Sequence, residues 1–548
     1  MPTKRLALII RGAVSLGSYE GGVLYELLRA LDHHNSSLPT GSDRRVCIDV
    51  LAGASAGSMT AAITMQVLLG GRAKLAGARD NPFYQAWVVD VNLAELLRYR
   101  NGEYEEGSLL SGDFIAELAQ KHLGSAPTGA PHPAKPDSGH LRFAFALSNL
   151  RGLDYDTTPD LDFPCTRFQD EWCDEIDLAN PAAADWAQIR LAAITSGAFP
   201  AAFPVRFLTR ARTSYNTNYL SPADWPATEP TRDLPYVDGG VFNNEPLGLA
   251  KGLVDLNDQH LDNDNRFYLY VSPSPKLSDR NKDFDSRNVT LLDMGSHLVN
   301  AVLGQAQYQD LSALRKTNQK VAAFDATAQT LSAVIASNAG QIASFRATTT
   351  LLAGAAFANL PAGAETLAQA VARLGAAYAT QPWFPSDPEQ RQAWAEMLAA
   401  FERTATLQEK DTMTLLTICA EKAELLGDAL SAFGGFTAQA VRHYDYEVGR
   451  NKTQQWLANP AKNKLGLDLT GYVFEPTNLA GDRAAAVAAL LAVAEESGDQ
   501  LGSRVAFQSK NIMKHFGIGW PIKNMLASGI NGFTSAYVTK ALDDEAAT

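Results

Sequence analysis

The chain has 548 residues, 46% of them hydrophobic and 20% charged, which suffices for a large core and roughly two or three domains. Its 47 basic and 60 acidic side chains give a net charge of −13, and because an acidic chain repels phosphates we expect no nucleic-acid partner. The first apolar run ends at Arg11 and is too short for a secretory signal, and the longest later run, Ala484 to Ala494, is about half a membrane span. We therefore expect a cytoplasmic protein, with peripheral contact as its only relation to membranes.

The first part of the chain alternates strands with helices. Leu6 to Ile10 is a continuous apolar run of strand length, and the apolar residues between Val23 and Leu31 recur at helical spacing. Val46 to Ala52 predicts a second buried strand, and the segment from Ser55 onward predicts a second helix. Repetition of strand, tight turn and helix predicts an α/β fold, a mostly parallel sheet flanked by helices.

Later elements extend this pattern and then change it. Leu141 to Leu147 and Phe267 to Val271 predict further strands, and Trp186 to Thr195 predicts a helix. Beyond about residue 290 the chain is rich in Ala, Leu, Gln and Glu and has few strand signals. We predict one domain over 1–275, which contains the strands, and a mostly α-helical C-terminal domain over 290–548.

Gly53 to Gly57 match the pattern G-x-S-x-G, directly after an apolar strand and before a helix. A nucleophilic serine needs this context, because a sharp turn between small residues exposes its hydroxyl, and the helix N-terminus favours developing negative charge. The predicted nucleophile is Ser55. The pentapeptide alone is weak, since a structural turn with an idle serine gives the same letters.

The turn after the first strand admits two functions. Gly12 and Gly17 have the spacing of a phosphate-binding loop, but Ser18 and Tyr19 stand where that loop needs lysine followed by serine or threonine. Without that lysine to reach a phosphate, a nucleotide hydrolase is excluded. The other function is an oxyanion hole built from backbone N–H groups. A plain turn without function is the alternative. If the first two strands are neighbours, this turn and Ser55 meet at one edge of the sheet.

A nucleophilic serine needs a base within hydrogen-bond reach. None of the nine histidines follows a strand in a small, turn-rich segment. Asp238 does: a short apolar stretch precedes it, and Gly239 and Gly240 allow a tight turn that exposes the carboxylate. Taken alone, Asp-Gly-Gly is more often only a turn.

Four blocks of the chain together resemble the patatin-like phospholipases, whose serine is activated directly by an aspartate without histidine. The resemblance covers roughly residues 5–275. The blocks, in chain order, are Gly12 to Leu24, Gly53 to Gly57, Ala193 to Pro200 and Asp238 to Asn244.

The resemblance implies a lipid acyl hydrolase of the phospholipase A or lysophospholipase type, with Ser55 as nucleophile and Asp238 as base. It implies that the substrate is a lipid or membrane-derived ester and that neither a metal nor an organic cofactor is needed. The N–H groups of Gly12, Ala13 and Val14 would form the oxyanion hole. The glycines that support the motifs are Gly17, Gly53, Gly57, Gly239 and Gly240.

One block departs from the family pattern G-G-G-x-[RK]-G. Ala13 and Val14 replace two glycines, and Leu16 replaces the basic residue. Backbone donors survive these replacements without strain only if the turn avoids positive φ at both positions. Arg11 could supply positive charge nearby.

Two alternatives to the dyad hydrolase stay open. One is an α/β-hydrolase esterase with a Ser-His-Asp triad, and the other is a catalytically inactive family member that binds lipid or acts as a scaffold. In the C-terminal region, Phe516 to Phe533 is either a lipid-facing surface or buried core.

Overall fold

A computed structural model describes residues 3–39, 41–98, 100, 108–156, 164–200, 202–217, 219–258, 265–273, 291–358, 365–404, 413–421, 424–427 and 434–496. The segment Phe516 to Phe533, a candidate lipid-facing surface, lies outside these residues. Among the described residues, no helix combines the length and the apolar character that crossing a bilayer would require.

The described strands form one mixed sheet. Their order across it is β5-β6-β3-β2-β1-β7-β8, and β4 pairs with β3 outside this path. The run β3-β2-β1-β7-β8 is parallel, whereas β4 and β6 are antiparallel to β3, and β5 to β6. The strands are β1 (Lys4–Ile10), β2 (Val46–Gly53), β3 (His140–Tyr155), β4 (Cys165–Asp177), β5 (Arg206–Ala211), β6 (Thr231–Asp238), β7 (Arg266–Ser272) and β8 (Leu415–Cys419).

The helices connect and flank these strands, and several more follow β7. They are α1 (Gly17–Ser36), α2 (Ala56–Gly70), α3 (Pro82–Tyr84), α4 (Leu93–Leu97), α5 (Gly112–Leu123), α6 (Trp186–Ser196), α7 (Leu247–Asp258), α8 (Leu291–Ser337), α9 (Ile342–Ala356), α10 (Leu367–Ala377), α11 (Pro388–Thr404), α12 (Gln439–Leu457), α13 (Pro460–Asn463) and α14 (Leu479–Glu496). A π-helical segment, Gln85–Asp90, follows α3 directly.

The central strands are apolar without alternation because both faces of the sheet are covered. All eight residues of β2 are buried, and so are Leu6 to Ile10 of β1. Strands that are buried on both faces have continuous hydrophobic sequences, and for this reason β1 and β2 could be predicted from the sequence. The predicted fold class, a mostly parallel sheet flanked by helices and followed by a helical region, is confirmed. The antiparallel strands β4 and β5 were not predicted, and of β6 only the short apolar stretch before Asp238 was.

Contacts divide the chain into two compact units that are not consecutive in sequence. The sheet unit comprises the described residues within Met1–Ala250, Asn265–Asp310 and Leu415–Thr548, and the helical unit those within Lys251–Asp264 and Leu311–Thr414. The domain boundaries predicted from the sequence, 1–275 and 290–548, stay a prediction. By packing, β8 and α12 from the later part of the chain belong with the sheet.

Helix α12 belongs to the sheet unit because its backbone lies directly against that of α1. A Cβ added at Gly22 would collide with the carbonyl oxygen of Tyr446, and one at Gly449 would collide with the carbonyl oxygen of Tyr19. A buried ion pair crosses the same contact, with Nε of Arg450 lying 3.2 Å from Oε2 of Glu26. The approach is possible only because neither glycine carries a side chain.

The helical unit has its own apolar core. Trp394 is fully buried at its centre, and its indole N–H donates to the carbonyl oxygen of Ala328 at 2.8 Å. The rings of Tyr378 and Phe384 pack edge-on against it, with centroids 5.4 and 5.2 Å away. Burial of large side chains, and not close backbone approach, stabilises this unit.

Candidate active site

Ser55 lies in the turn between β2 and α2, in a conformation that non-glycine residues rarely adopt. Its φ is 52° and its ψ is −126°. Two glycines make the turn possible: a Cβ at Gly57 would collide with the carbonyl oxygen of Ile10, and one at Gly53 would lie 2.6 Å from the carbonyl oxygen of Gly57. The strained backbone holds the Ser55 hydroxyl at the carboxyl edge of the sheet, where α2 begins.

Asp238 ends β6 and reaches the same edge. Its Oδ2 accepts a hydrogen bond from the Ser55 hydroxyl at 2.5 Å, although the two residues are 183 positions apart in the chain. Its other oxygen, Oδ1, accepts from the N–H of Gly240 at 2.7 Å. One oxygen of Asp238 thus accepts a hydrogen bond from Ser55 and the other accepts one from the turn that follows Asp238. These two bonds fix the orientation of the carboxylate.

The register of β3 explains why these residues meet. Gly53 of β2 pairs with Phe145, and Asp238 of β6 pairs with Leu147, so both strands end near the same point of β3. Strand β6 is antiparallel to β3, and it reaches this point because β3 continues to Tyr155, past the end of β2. The sequence predicted neither the pairing nor the length of β3.

Ser196, which was not predicted, supports the Ser55 turn from the end of α6. Its Oγ accepts from the Ser55 N–H at 3.0 Å and from the Ser58 hydroxyl at 2.8 Å. It donates in turn to the carbonyl oxygen of Ala146 at 2.7 Å. The Thr-Ser-Gly block at the end of the predicted α6 was a signal for this residue, but nothing local indicated its partners.

The dyad is buried, and burial changes the acidity of the carboxyl group. Ser55 is 5% exposed and Asp238 is 2% exposed. Burial raises the pKa of Asp238 to about 7, against the opposing effect of the hydrogen bonds from Ser55 and Gly240. A carboxyl group with this pKa can both accept and return a proton near neutral pH.

The turn after β1 lies against this pair. A Cβ at Gly12 would lie 3.1 Å from Cβ of Ser55, and the Gly12 N–H donates to the carbonyl oxygen of Asn244 at 3.3 Å. Ala13 has a φ of −140°, but Val14 has a φ of 51°, so the condition for an unstrained replacement holds at Ala13 and fails at Val14. The turn keeps a glycine-type conformation with a β-branched residue, which is strained.

The backbone N–H groups of Ala13 and Val14 have no hydrogen-bond acceptor within the part of the chain that the structure describes. Gly12 is already bonded to Asn244, so Ala13 and Val14 are the more available donors of the three predicted residues. The role of this turn as an oxyanion hole stays a prediction.

No histidine with a described side chain contacts Ser55 or Asp238. Each has its own partner elsewhere: His33 bonds Thr470, His34 bonds Arg44, His122 pairs with Asp90, His132 bonds Leu28, His140 pairs with Glu175, and His443 contacts Tyr84 and Asp482. The described residues also contain no group of three or more His, Cys, Asp or Glu side chains that could hold a metal ion.

A comparison with known families finds a match in this part of the chain. The family model for patatin-like phospholipases matches residues 8–251, a range that contains both turns, Ser55 and Asp238. The part of the chain from residue 8 to residue 251 is thus similar to the patatin-like phospholipases, and it is called the patatin-like domain. Members of that family are generally lipid acyl hydrolases. The matched range begins in β1 and ends in α7.

A curated relative of this chain is the uncharacterized protein y4iI of Sinorhizobium fredii (strain NBRC 101917 / NGR234). It is 30% identical to this chain over 178 residues, which cover 28% of this chain and 25% of the relative. The match thus spans about a quarter of the relative's length. Because the relative is uncharacterized, it adds no substrate or partner.

An apolar cluster adjoins the turn after β1 and the segment that bonds the Asp238 backbone. Val14, from the turn after β1, packs against the cluster, and so does Phe199. Phe199 follows Ala198, whose carbonyl oxygen accepts a hydrogen bond from the Asp238 N–H at 2.8 Å. The buried members of the cluster are Val91, Leu96, Leu97, Leu110, Phe114, Ala202 and Phe436. A cavity of about 350 Å³ lies elsewhere in the domain, lined by Tyr155, Cys165, Thr166, Arg167, Asn216 and Tyr219.

Proposed function

We propose that the patatin-like domain hydrolyses carboxylic esters of lipids, with Ser55 as nucleophile and Asp238 as its base. The observation that carries the proposal is the 2.5 Å hydrogen bond between the Ser55 hydroxyl and the Asp238 carboxylate. The strained Ser55 turn and the family match support it. A direct contact of this kind needs no intervening histidine.

In the proposed reaction, the Ser55 proton passes to Asp238 while Oγ bonds to the ester carbonyl carbon. The carbonyl electron pair moves to its oxygen, which accepts hydrogen bonds from the N–H groups of Ala13 and Val14. The bond to the alcohol then breaks, and the alcohol leaves with the proton from Asp238. Water next gives a proton to Asp238, attacks the acyl carbon and releases the acid, and Ser55 regains its proton.

Two features support a lipid acyl chain as the group that is transferred. The apolar cluster around Val14 and Phe199 adjoins the turn after β1, which lies against Ser55, so an acyl chain bound there would have its ester near Ser55. The dyad is almost fully buried, and apolar side chains pack close to the turn after β1, which favours an apolar substrate over a polar one. A lipid or membrane-derived ester, peripheral membrane contact and a cytoplasmic location belong to this proposal.

The test is covalent labelling with a fluorophosphonate probe, followed by mass-spectrometric mapping of the modified residue. We expect the label on Ser55 alone. Ser55→Ala and Asp238→Asn should each lower kcat for a fatty-acyl ester by roughly 10⁴-fold or more, without loss of folding. Ser332→Ala is a matched control, since Ser332 is also 5% exposed but lies in the helical unit. Undiminished turnover by Ser55→Ala would contradict the proposal.

A second candidate is a catalytically inactive, lipid-binding domain. The strain at Val14 and the 5% exposure of Ser55 favour it. It predicts no labelling and no turnover, together with flotation of the protein on phosphatidylcholine vesicles that Ser55→Ala leaves unchanged.

A histidine triad would be indicated if a histidine variant, and not Asp238→Asn, abolished labelling.

A further inference from the structure

A buried ion pair joins the turn that precedes the proposed oxyanion donors to the loop that follows Asp238. Nε of Arg11, the residue before Gly12, lies 2.6 Å from Oε1 of Glu245. The Glu245 side chain is completely buried, and that of Arg11 is 16% exposed. Neither residue has a role in the proposed proton transfers. A buried charge pair is costly unless its geometry is good, so its presence here needs a reason.

Two hydroxyl groups on β7 contact the pair. The Tyr270 hydroxyl donates to the other Glu245 oxygen, and Nη1 of Arg11 lies 3.5 Å from the Ser272 hydroxyl, both on β7. The other titratable groups that face the pair are Glu20 on α1 and Cys419 on β8. Arg11 carries the only positive charge among these facing groups in the described residues.

The same two segments touch a second time, through Asn244. Its carbonyl oxygen accepts from the Gly12 N–H at 3.3 Å. Its side-chain oxygen lies so close to Gly12 and Gly240 that a Cβ at Gly12 would collide with it, and one at Gly240 would lie 2.5 Å away. Adjacent residues, Asn244 and Glu245, therefore connect the aspartate loop to the turn after β1.

This connection matters because Val14 is strained. A valine at a φ of 51° relaxes unless neighbouring contacts hold it. Oxyanion donors act only if they stay in position, since a displaced donor stabilises the transition state no better than water does. The contacts of Glu245 with Arg11 and of Asn244 with Gly12 restrain the turn two residues before Val14.

We propose that Glu245 is a positioning residue: through Arg11 it holds the Gly12–Val14 turn in register with the Asp238 loop, so that the oxyanion donors and the base face the same ester. The inference rests on the proposed function. It predicts a selective effect on the transition state, because the turn touches the substrate oxygen most strongly after charge has developed on it.

The experiment compares Glu245→Gln with Glu26→Gln. Glu26 is a matched control, because its buried ion pair with Arg450 has side chains 1% and 2% exposed and contacts neither turn. Glu245→Gln should lower kcat by about 10²-fold with KM unchanged, the effect of losing one oxyanion donor. Binding of a fatty-acyl trifluoromethyl ketone, whose adduct carries an oxyanion, should weaken by the same factor. Glu26→Gln should leave both quantities unchanged for the folded fraction.

Tyr270→Phe provides a milder test should Glu245→Gln fail to fold, since it removes only one hydrogen bond from the carboxylate. We expect a loss of kcat of roughly threefold to tenfold, again with KM unchanged. Arg11→Gln should resemble Glu245→Gln, and the double variant should be no worse than either single one, because both break the same link.

The pH profile gives a readout that loss of stability alone would not change. Burial raises the pKa values of both Asp238 and Glu245 to about 7, and both must be ionised, one to take a proton and the other to hold Arg11. The acid limb of log kcat/KM should be steeper than one per pH unit in the wild type and close to one in Glu245→Gln.

Equal kcat values for Glu245→Gln and Glu26→Gln, a rise in KM alone, or an unchanged acid limb would each overturn the positioning role. These outcomes differ from failure of the proposed function. That failure would appear in the wild type itself, as absence of ester turnover and of a fluorophosphonate label on Ser55.

Discussion

The edge of the sheet and the helical unit use glycine in opposite ways. At the edge, a Cβ at Gly57 or Gly239 would collide with main-chain atoms of a neighbouring strand. In the helical unit, a Cβ added at Gly354 or Gly375 would have no atom outside its own helix within 4 Å. Glycine is therefore required sterically at these positions of the sheet edge, whereas a side chain would fit at these positions of the helical unit.

Backbone strain follows the same division. The described non-glycine residues with positive φ are Val14, Ser55 and Lys464, and none of them lies in the helical unit. Two of the three are in the turns of the candidate site. Strained conformations persist where close packing determines the backbone, which the sheet edge provides and a helical bundle does not need. Three substitutions test this contrast, from the largest expected effect to the smallest.

Gly57→Ala should have the largest effect, because it should lower activity and stability together. Its Cβ would collide with the carbonyl oxygens of Ile10 and Arg11, so the Ser55 turn and the turn after β1 would have to separate. We expect kcat to fall by at least about 10²-fold and the free energy of unfolding by about 3 kcal/mol. Enzyme kinetics and urea denaturation measure the two effects, and wild-type kcat in this variant would contradict the steric argument.

Trp394→Ala tests the helical unit, where side-chain volume should matter instead. Removing this fully buried ring should lower the free energy of unfolding of the unit by about 3–5 kcal/mol, because a large cavity remains. Denaturation followed by far-ultraviolet circular dichroism measures the change. Fluorophosphonate labelling of Ser55 at low temperature serves as the control, and a loss below about 1 kcal/mol would show that the core relaxes around the gap.

Gly354→Ala should have the smallest effect and the opposite sign. Gly354 lies inside α9, with open space where a Cβ would stand, so alanine should raise the free energy of unfolding by about 0.5–1 kcal/mol. Thermal unfolding of this variant beside Gly57→Ala makes the comparison direct. Destabilisation by Gly354→Ala would mean that glycine is also required in the helical unit.

The sequence was most informative where structure is local. Continuous apolar runs identified β1 and β2, and helical spacing identified α1, α2 and α6. The two glycine-flanked turns could be read because each contains the small residues that its own geometry demands. Family resemblance then connected Ser55 to Asp238, and the two side chains are hydrogen-bonded in the structure.

Contacts between distant segments were not readable in the same way. Ser196 and Glu245 have ordinary local sequence contexts, and their partners lie on other strands and turns. Strands β4 and β5 also escaped prediction, since β4 is largely exposed and polar and β5 is a short edge strand. Because the composition beyond residue 290 predicted helices, β8 was missed, although it completes the parallel part of the sheet.

The sequence by itself determined which turns could be sharp, which residues could carry the chemistry, and that a mostly parallel sheet would bring two turns to one edge. Only the tertiary structure decided that β3 continues past β2, so that the antiparallel β6 brings Asp238 to within 2.5 Å of Ser55. It also decided that Arg11 pairs with Glu245. The physical reason is that turn geometry depends on a few adjacent residues, whereas strand register depends on the packing of the whole sheet.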